Sequence, residues 1–166
     1  MDKTKLSTRR LLQGALIAAI YAVLTILLAP ISYGPMQVRI SEALTILPAL
    51  TPVGIPGLTI GCLLANLLGP YGVFDVVFGT LATLIGAVGT RLLRKKSPYL
   101  AVLPPIAANT LIVPFVLRYC YGAEDAIWFM MLTVCAGEVI AAGILALLLR
   151  KLIEKNEKQI FPWGRD

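Results

Sequence analysis

Apolar runs follow one another along almost the whole chain, and they restrict it to one kind of architecture. Six can be placed, at about 11–29, 40–50, 57–68, 73–93, 99–117 and 126–149. Only 14% of the residues are charged against 58% hydrophobic, where a soluble domain carries about 25% charged residues. The chain is therefore expected to be an all-α integral membrane protein: a six-transmembrane-helix bundle forming a single domain over 1–166. Basic residues precede the first run as in a signal peptide. That run exceeds the ~7–15 residues of a signal sequence, and no Ala-x-Ala follows it, so it reads as a retained first helix.

The second and third runs are shorter than the ~20 residues that cross a ~30 Å core. Either they extend through the Pro/Gly-rich stretch 51–57, or they form a re-entrant pair that leaves four crossings. Both counts put the termini on one side. With six crossings that side holds Lys3, Lys5, Arg9, Arg10, Arg91, Arg94, Lys95, Lys96, Arg150, Lys151, Lys155, Lys158 and Arg165, leaving only Arg39 and Arg118 opposite. The positive-inside rule makes it the cytoplasm, with tails 1–10 and 150–166 in it. The net charge of +6 is then a topology signal and needs no nucleic acid. Most acids fall elsewhere: Glu42, Asp75, Glu124, Asp125 and Glu138 lie in the outer half or within the membrane, which suits a neutral or cationic ligand arriving from outside.

Polar groups inside the apolar runs demand an explanation, because a charge at bilayer depth costs at least ~2.5–3.5 kcal/mol. Arg39 and Glu42 stand at i, i+3, on one face of a helix; they form either part of a pocket or an interfacial ion pair with Arg39 snorkelling outward. Glu138 lies near the middle of the sixth run, about 17 Å from either end, beside Gly137, Ala141, Ala142 and Gly143. It reads as a site carboxylate or a helix-to-helix hydrogen-bonding group. Asn66 and Asn109 read equally as site residues or as interhelical glue. Asp75 suits a helix N-cap and also a loop folded over a pocket, and Asp125 suits the N-cap of the sixth run. Tyr33, Tyr71, Phe74, Tyr119 and Tyr121 gather at the same mouth, as an aromatic belt or as faces to stack a heterocycle. On the first run Gly14/Ala18/Ala22 and Ala15/Ala19 make two small-residue stripes, for packing within the bundle or for docking another membrane protein.

There is no histidine, no CxxC among Cys62, Cys120 and Cys135, no Walker-type phosphate loop and no catalytic constellation. An enzyme is not expected, and neither a metal nor a cofactor is implied.

Ala15-x-x-x-Ala19, Val-Arg-Ile-Ser-Glu-Ala-Leu-Thr-Ile-Leu-Pro (38–48), Pro-Tyr-Gly-Val-Phe-Asp-Val-Val-Phe-Gly-Thr-Leu-Ala-Thr-Leu (70–84) and Gly-Glu-Val-Ile (137–140) resemble the QueT family over nearly the whole chain. These are substrate-binding S components of energy-coupling factor (ECF) importers, thought to take up queuosine precursors. The resemblance implies a substrate held near the outer face under the connections one–two, three–four and five–six, and a cell-membrane assembly with a transmembrane coupling subunit and two cytosolic ATPase subunits. It implies that Ala15 and Ala19 contact the coupling subunit and that Arg39, Glu42, Asp75 and Glu138 bind substrate. A 7-deazaguanine fits such residues: its N1–H and exocyclic amine suit a carboxylate (Glu138 or Glu42), its carbonyl suits Arg39 or an asparagine amide, and an aminomethyl cation suits Asp75. Two other readings stand beside this one: a self-contained transporter coupled to protons through Glu138, and a structural protein whose polar groups only lock helices together.

Overall fold

The computed structural model describes residues 3–32, 38–70 and 72–156. Tyr33, Tyr71 and the ends of both tails lie outside the described residues. Among those described, the chain is helical without a strand. We label the helices α1 (Lys3–Leu27), α2 (Ile40–Leu50), α3 (Gly54–Leu68), α4 (Asp75–Leu93), α5 (Pro98–Cys120) and α6 (Ile127–Lys155); one extra turn, Ala29–Ser32, follows α1. Among the described residues, four helical stretches are long and apolar enough to cross a membrane: Thr8–Leu27, α4, α5 and α6. Large apolar side chains such as Leu11, Leu16, Leu67, Leu92, Trp128 and Leu132 point outward, a surface suited to lipid rather than water.

Contacts between glycines and the facing helix give the register. A Cβ on Gly61 would lie 2.8 Å from the Tyr21 Cβ and 2.9 Å from the Ala18 carbonyl oxygen, so α3 lies backbone-close along α1. With Gly57 against Ile17, these two helices run parallel. Each helix otherwise runs antiparallel to the next. Tyr21 meets Glu42 while Thr25 meets Ser41 (α1 to α2), and Asn66 meets the start of α4. Gly86 packs on Pro105 and Gly89 on Pro104, whereas Asn109 meets Glu138 and Ile106 meets Gly143.

The small-residue stripes of α1 part company here. Ala18 and Ala22 are buried against the bundle and Gly14 packs on Val53, while Ala15 and Ala19 are exposed. An exposed groove of about 420 Å³ runs past Ala15, lined among others by Gly14, Val53, Pro56 and Ile60.

Two helices depart from α geometry. In α2, Ile40–Ile46 is wound as a 3-10 helix and only Leu47–Leu50 is α-helical. The larger rise of the 3-10 form stretches eleven residues to about 20 Å instead of about 16 Å. In α6, Val139–Leu145 widens to π-helical bonding, as Asp75–Gly79 does at the head of α4. Each of these irregular stretches contains or directly follows a buried carboxylate: Glu42, Glu138 and Asp75 respectively. Widened turns of this kind recur at functional sites because they re-aim side chains that a regular helix would point elsewhere.

Two expected caps are not formed. Ala126, not Asp125, occupies the N-cap of α6, and Phe74 precedes α4 without a side-chain cap. Asp75 sits one residue further in, within the first turn, and its carboxylate is buried.

Candidate functional site

Five carboxylate or amide side chains and one guanidinium in the apolar interior form a connected set. Glu42 is fully buried, and its Oε1 accepts a hydrogen bond from the Tyr21 hydroxyl. The 3-10 turn that presents it is closed by Glu42 N–H to the Arg39 carbonyl (2.9 Å) and by the Thr45 hydroxyl to the Glu42 carbonyl (2.5 Å). Arg39 precedes this turn as its N-cap, with extended backbone (φ −86°, ψ 99°).

Arg39 does not snorkel. It is 4% exposed, and its Nε donates to the Ser32 carbonyl at 3.3 Å. Its charge lies within electrostatic reach of both Glu42 and Glu138, and those two carboxylates are within reach of each other. Glu138, 3% exposed, accepts from Asn109 Nδ2 at 2.9 Å. Asn109 is thus tied to a site carboxylate from the neighbouring helix.

A second arm runs through α3. Asn66 Nδ2 donates to the Asp75 carbonyl (2.9 Å) and to Cys62 Sγ (3.3 Å). Cys62 is fully buried beside Tyr21 and Thr83 and within electrostatic reach of Arg39 and Glu42. The arm therefore connects Asp75, at the head of α4, to Glu42 on α2.

Asp75 is capped from outside by the α5–α6 connection. The Tyr121 hydroxyl accepts from Gly72 N–H (3.0 Å) and Asp75 N–H (3.3 Å) and lies against the Asp75 carboxylate. Its ring meets Phe74 edge-on at 6.2 Å. Partial burial, followed by the adjacent Asp75, pushes the Tyr121 hydroxyl above its ordinary range. Gly122 makes the turn with φ 68°, and Arg118 donates to the Ala123 carbonyl at 2.7 Å.

What this set leaves over defines its chemistry. Glu42 Oε2, Glu138 Oε2, Asp75 Oδ2 and Asn66 Oδ1 are buried and accept no hydrogen bond from the protein. A buried acceptor without a donor costs roughly 1–3 kcal/mol, more when charged, so such groups mark places where another molecule completes the bonding. All four are acceptors, and only Arg39 adds a positive charge to the set. The arrangement suits a small molecule rich in N–H donors. No group of three His, Cys, Asp or Glu side chains that could hold a metal occurs among the described residues.

All six polar residues singled out from the sequence (Arg39, Glu42, Asn66, Asp75, Asn109 and Glu138) fall in this set. Sequence reasoning passed over Tyr21 and Ser32, read Tyr121 only as a belt or stacking aromatic, and gave Cys62 no role in a site. Tyr21 carried a usable signal: a tyrosine in mid-run, away from either interface, must find a partner for its hydroxyl. Cys62 carried none, since a buried cysteine is ordinarily a small apolar packing residue.

Comparison with known proteins follows the same direction. A family model described as QueT transporter matches residues 11–155. The chain is 39% identical over 87 residues to a protein named Queuosine precursor transporter QueT from Lactococcus lactis subsp. cremoris (strain MG1363), an alignment covering 51% of this chain and 50% of that one. The match thus spans about half the length of that curated relative. No solved structure matches.

Proposed function

Since the chain belongs to the QueT transporter family and is a multi-pass membrane protein, we propose that it captures a queuosine precursor of the 7-deazaguanine type and serves as the substrate-binding S component of an ECF importer. The observation that carries this reading is the set of three buried carboxylates, on α2, α4 and α6, each with one oxygen lacking a donor. In this reading Glu42 and Glu138 take the N–H donors of the guanine-like edge, and Arg39 donates to its carbonyl. Asn66 offers its free Oδ1, Asp75 faces an aminomethyl cation, and Asn109 holds Glu138 in place.

All six helices cross the membrane in this proposal, with both termini in the cytoplasm. The alternation of helix direction and the gathering of basic residues at one end support that arrangement. α2 gains length from its 3-10 winding, and α3, at fifteen residues, would lie where the bilayer thins or the flanking loops dip. Substrate then enters from the Asp75 end. The exposed Ala15 and Ala19 would receive the coupling subunit, while Ala18 and Ala22 are buried inside the bundle. ATP is hydrolysed by partner subunits, in keeping with a sequence that carries no nucleotide-hydrolysing motif.

The test is uptake of radiolabelled 7-aminomethyl-7-deazaguanine into proteoliposomes. Accumulation that requires co-reconstituted coupling and ATPase subunits with ATP is expected. Accumulation by this chain alone under a proton gradient would replace the proposal with proton-coupled transport, for which Glu138 is the natural proton carrier. No accumulation under either condition overturns both.

A further inference from the structure

We infer that Tyr21 is a positioning residue for the ligand, acting through Glu42 and fixing which of its oxygens is offered. This rests on the reading that Glu42 touches a 7-deazaguanine. Tyr21 comes from α1, the helix whose opposite face carries the exposed Ala15 and Ala19, yet it is 0% exposed and its hydroxyl reaches across to Glu42 Oε1. Three features hold it there. The ring packs with Leu58, Cys62 and Ala65 in an apolar cluster. Gly61 has no Cβ, which would lie 2.8 Å from that of Tyr21. One turn along, Thr25 donates to the Tyr21 carbonyl (2.8 Å) and meets the Ser41 hydroxyl at 2.6 Å, so α1 and α2 are clasped at adjacent levels.

The consequence concerns Glu42 itself. A carboxylate in apolar surroundings with no donor would rotate freely about its last torsion, a broad and roughly two-fold one. With Oε1 bonded to a phenol of fixed position, the carboxylate plane is set and Oε2 alone is left without a donor. Glu42 then recognises the ligand through one oriented hydrogen bond rather than a bidentate pair. An O–H donor to a carboxylate is among the stronger hydrogen bonds, so its removal should be felt at the ligand. The exocyclic amine of a guanine-like edge is the donor that this oxygen suits, and a ring lacking the amine leaves Oε2 as it stands in the free protein.

The experiment is a double-mutant cycle on the purified protein. Affinities for 7-deazaguanine and 7-deazahypoxanthine, which differ by that amine, are measured calorimetrically for wild type, Tyr21→Phe, Glu42→Gln and the double variant. Phenylalanine keeps the ring and its packing, and thermal unfolding of each variant reports any loss of fold separately. Tyr21→Phe is expected to weaken 7-deazaguanine about ten-fold, to shrink the preference over 7-deazahypoxanthine, and to have no further effect once Glu42→Gln is present. An equal loss in the Glu42→Gln background, or a loss shared equally by both ligands, would overturn the inference and assign Tyr21 to packing. Should wild type bind neither compound, the proposed function fails, and the positioning role is then read without ligand. The infrared carboxylate band that vanishes in Glu42→Gln must shift in Tyr21→Phe, and an unmoved band refutes the clamp.

Discussion

The two ends of the bundle are built on opposite terms. At the end bearing Arg91, backbones are in contact and several polar groups tie one helix to the next. Thr90 donates to the Ala101 carbonyl (2.8 Å), Arg91 donates to the Pro48 carbonyl (3.2 Å), Gly54 abuts the Leu47–Pro48 backbone, and Gly86 and Gly89 press on Pro105 and Pro104. From the middle of the bundle to the Asp75 end, Glu42 Oε2, Glu138 Oε2, Asp75 Oδ2 and Asn66 Oδ1 are buried acceptors that no protein donor reaches. The difference teaches where each end's free energy goes. At Gly54, Gly86 and Gly89 the first end is packed so that no methyl group fits without a shift. The other keeps acceptors whose bonding is unfinished, so its stability is held back for a ligand to supply.

The largest expected effect tests the unfinished end. Glu138→Gln or Glu42→Gln should weaken 7-deazaguanine binding on the order of 10–100-fold, the range for a lost hydrogen bond to a charged group. Unfolding temperature should hold or rise, because a neutral amide is cheaper to bury than an unmatched carboxylate. Binding by calorimetry together with thermal unfolding in the same detergent would check this. A variant that loses stability and keeps affinity would break the contrast.

Next comes the packed end, with the opposite pattern. A Cβ on Gly89 would lie 2.4 Å from the Pro104 Cβ and one on Gly72 3.8 Å from the Tyr121 hydroxyl. Gly89→Ala should therefore cost about 1–3 kcal/mol of stability as overpacking, and Gly72→Ala about 0.5 kcal/mol or less. Ligand affinity should move little in the first. Arg91→Met should cost less than Gly89→Ala, about 0.5–1.5 kcal/mol for loss of the bond to the Pro48 carbonyl, again read from unfolding. Smallest of all, Ala15→Leu should leave affinity within about two-fold, since Ala15 is exposed and remote from the carboxylates. It should nonetheless reduce co-purification with a coupling subunit, which would separate the docking face from the binding site.

Much of this contrast was legible in the residues. Charges inside apolar runs are costly enough that Arg39, Glu42, Asp75 and Glu138 announced themselves, and the asparagines followed by the same logic. Helix existence was equally legible, because an apolar run of about twenty residues has few alternatives in lipid. Three things were not. Whether Ala15 or Ala18 faces outward depends on where α3 lies, which a four-residue spacing does not encode. The 3-10 winding of Ile40–Ile46 and the π-helical stretches are tertiary choices, made where a carboxylate must be aimed inward. Asp75 looked like a cap because it follows a turn, yet the backbone is already helical at Val73 and Phe74, and the carboxylate is buried in the interior.

The decisive measurement is native mass spectrometry of the protein purified from cells supplied with 7-deazaguanine precursors, for wild type and for a Glu42→Gln/Glu138→Gln double variant. The account predicts one small N–H-rich heterocycle bound per wild-type chain and none on the double variant. The same molecule retained by both proteins, or no adduct on the wild type, would contradict it.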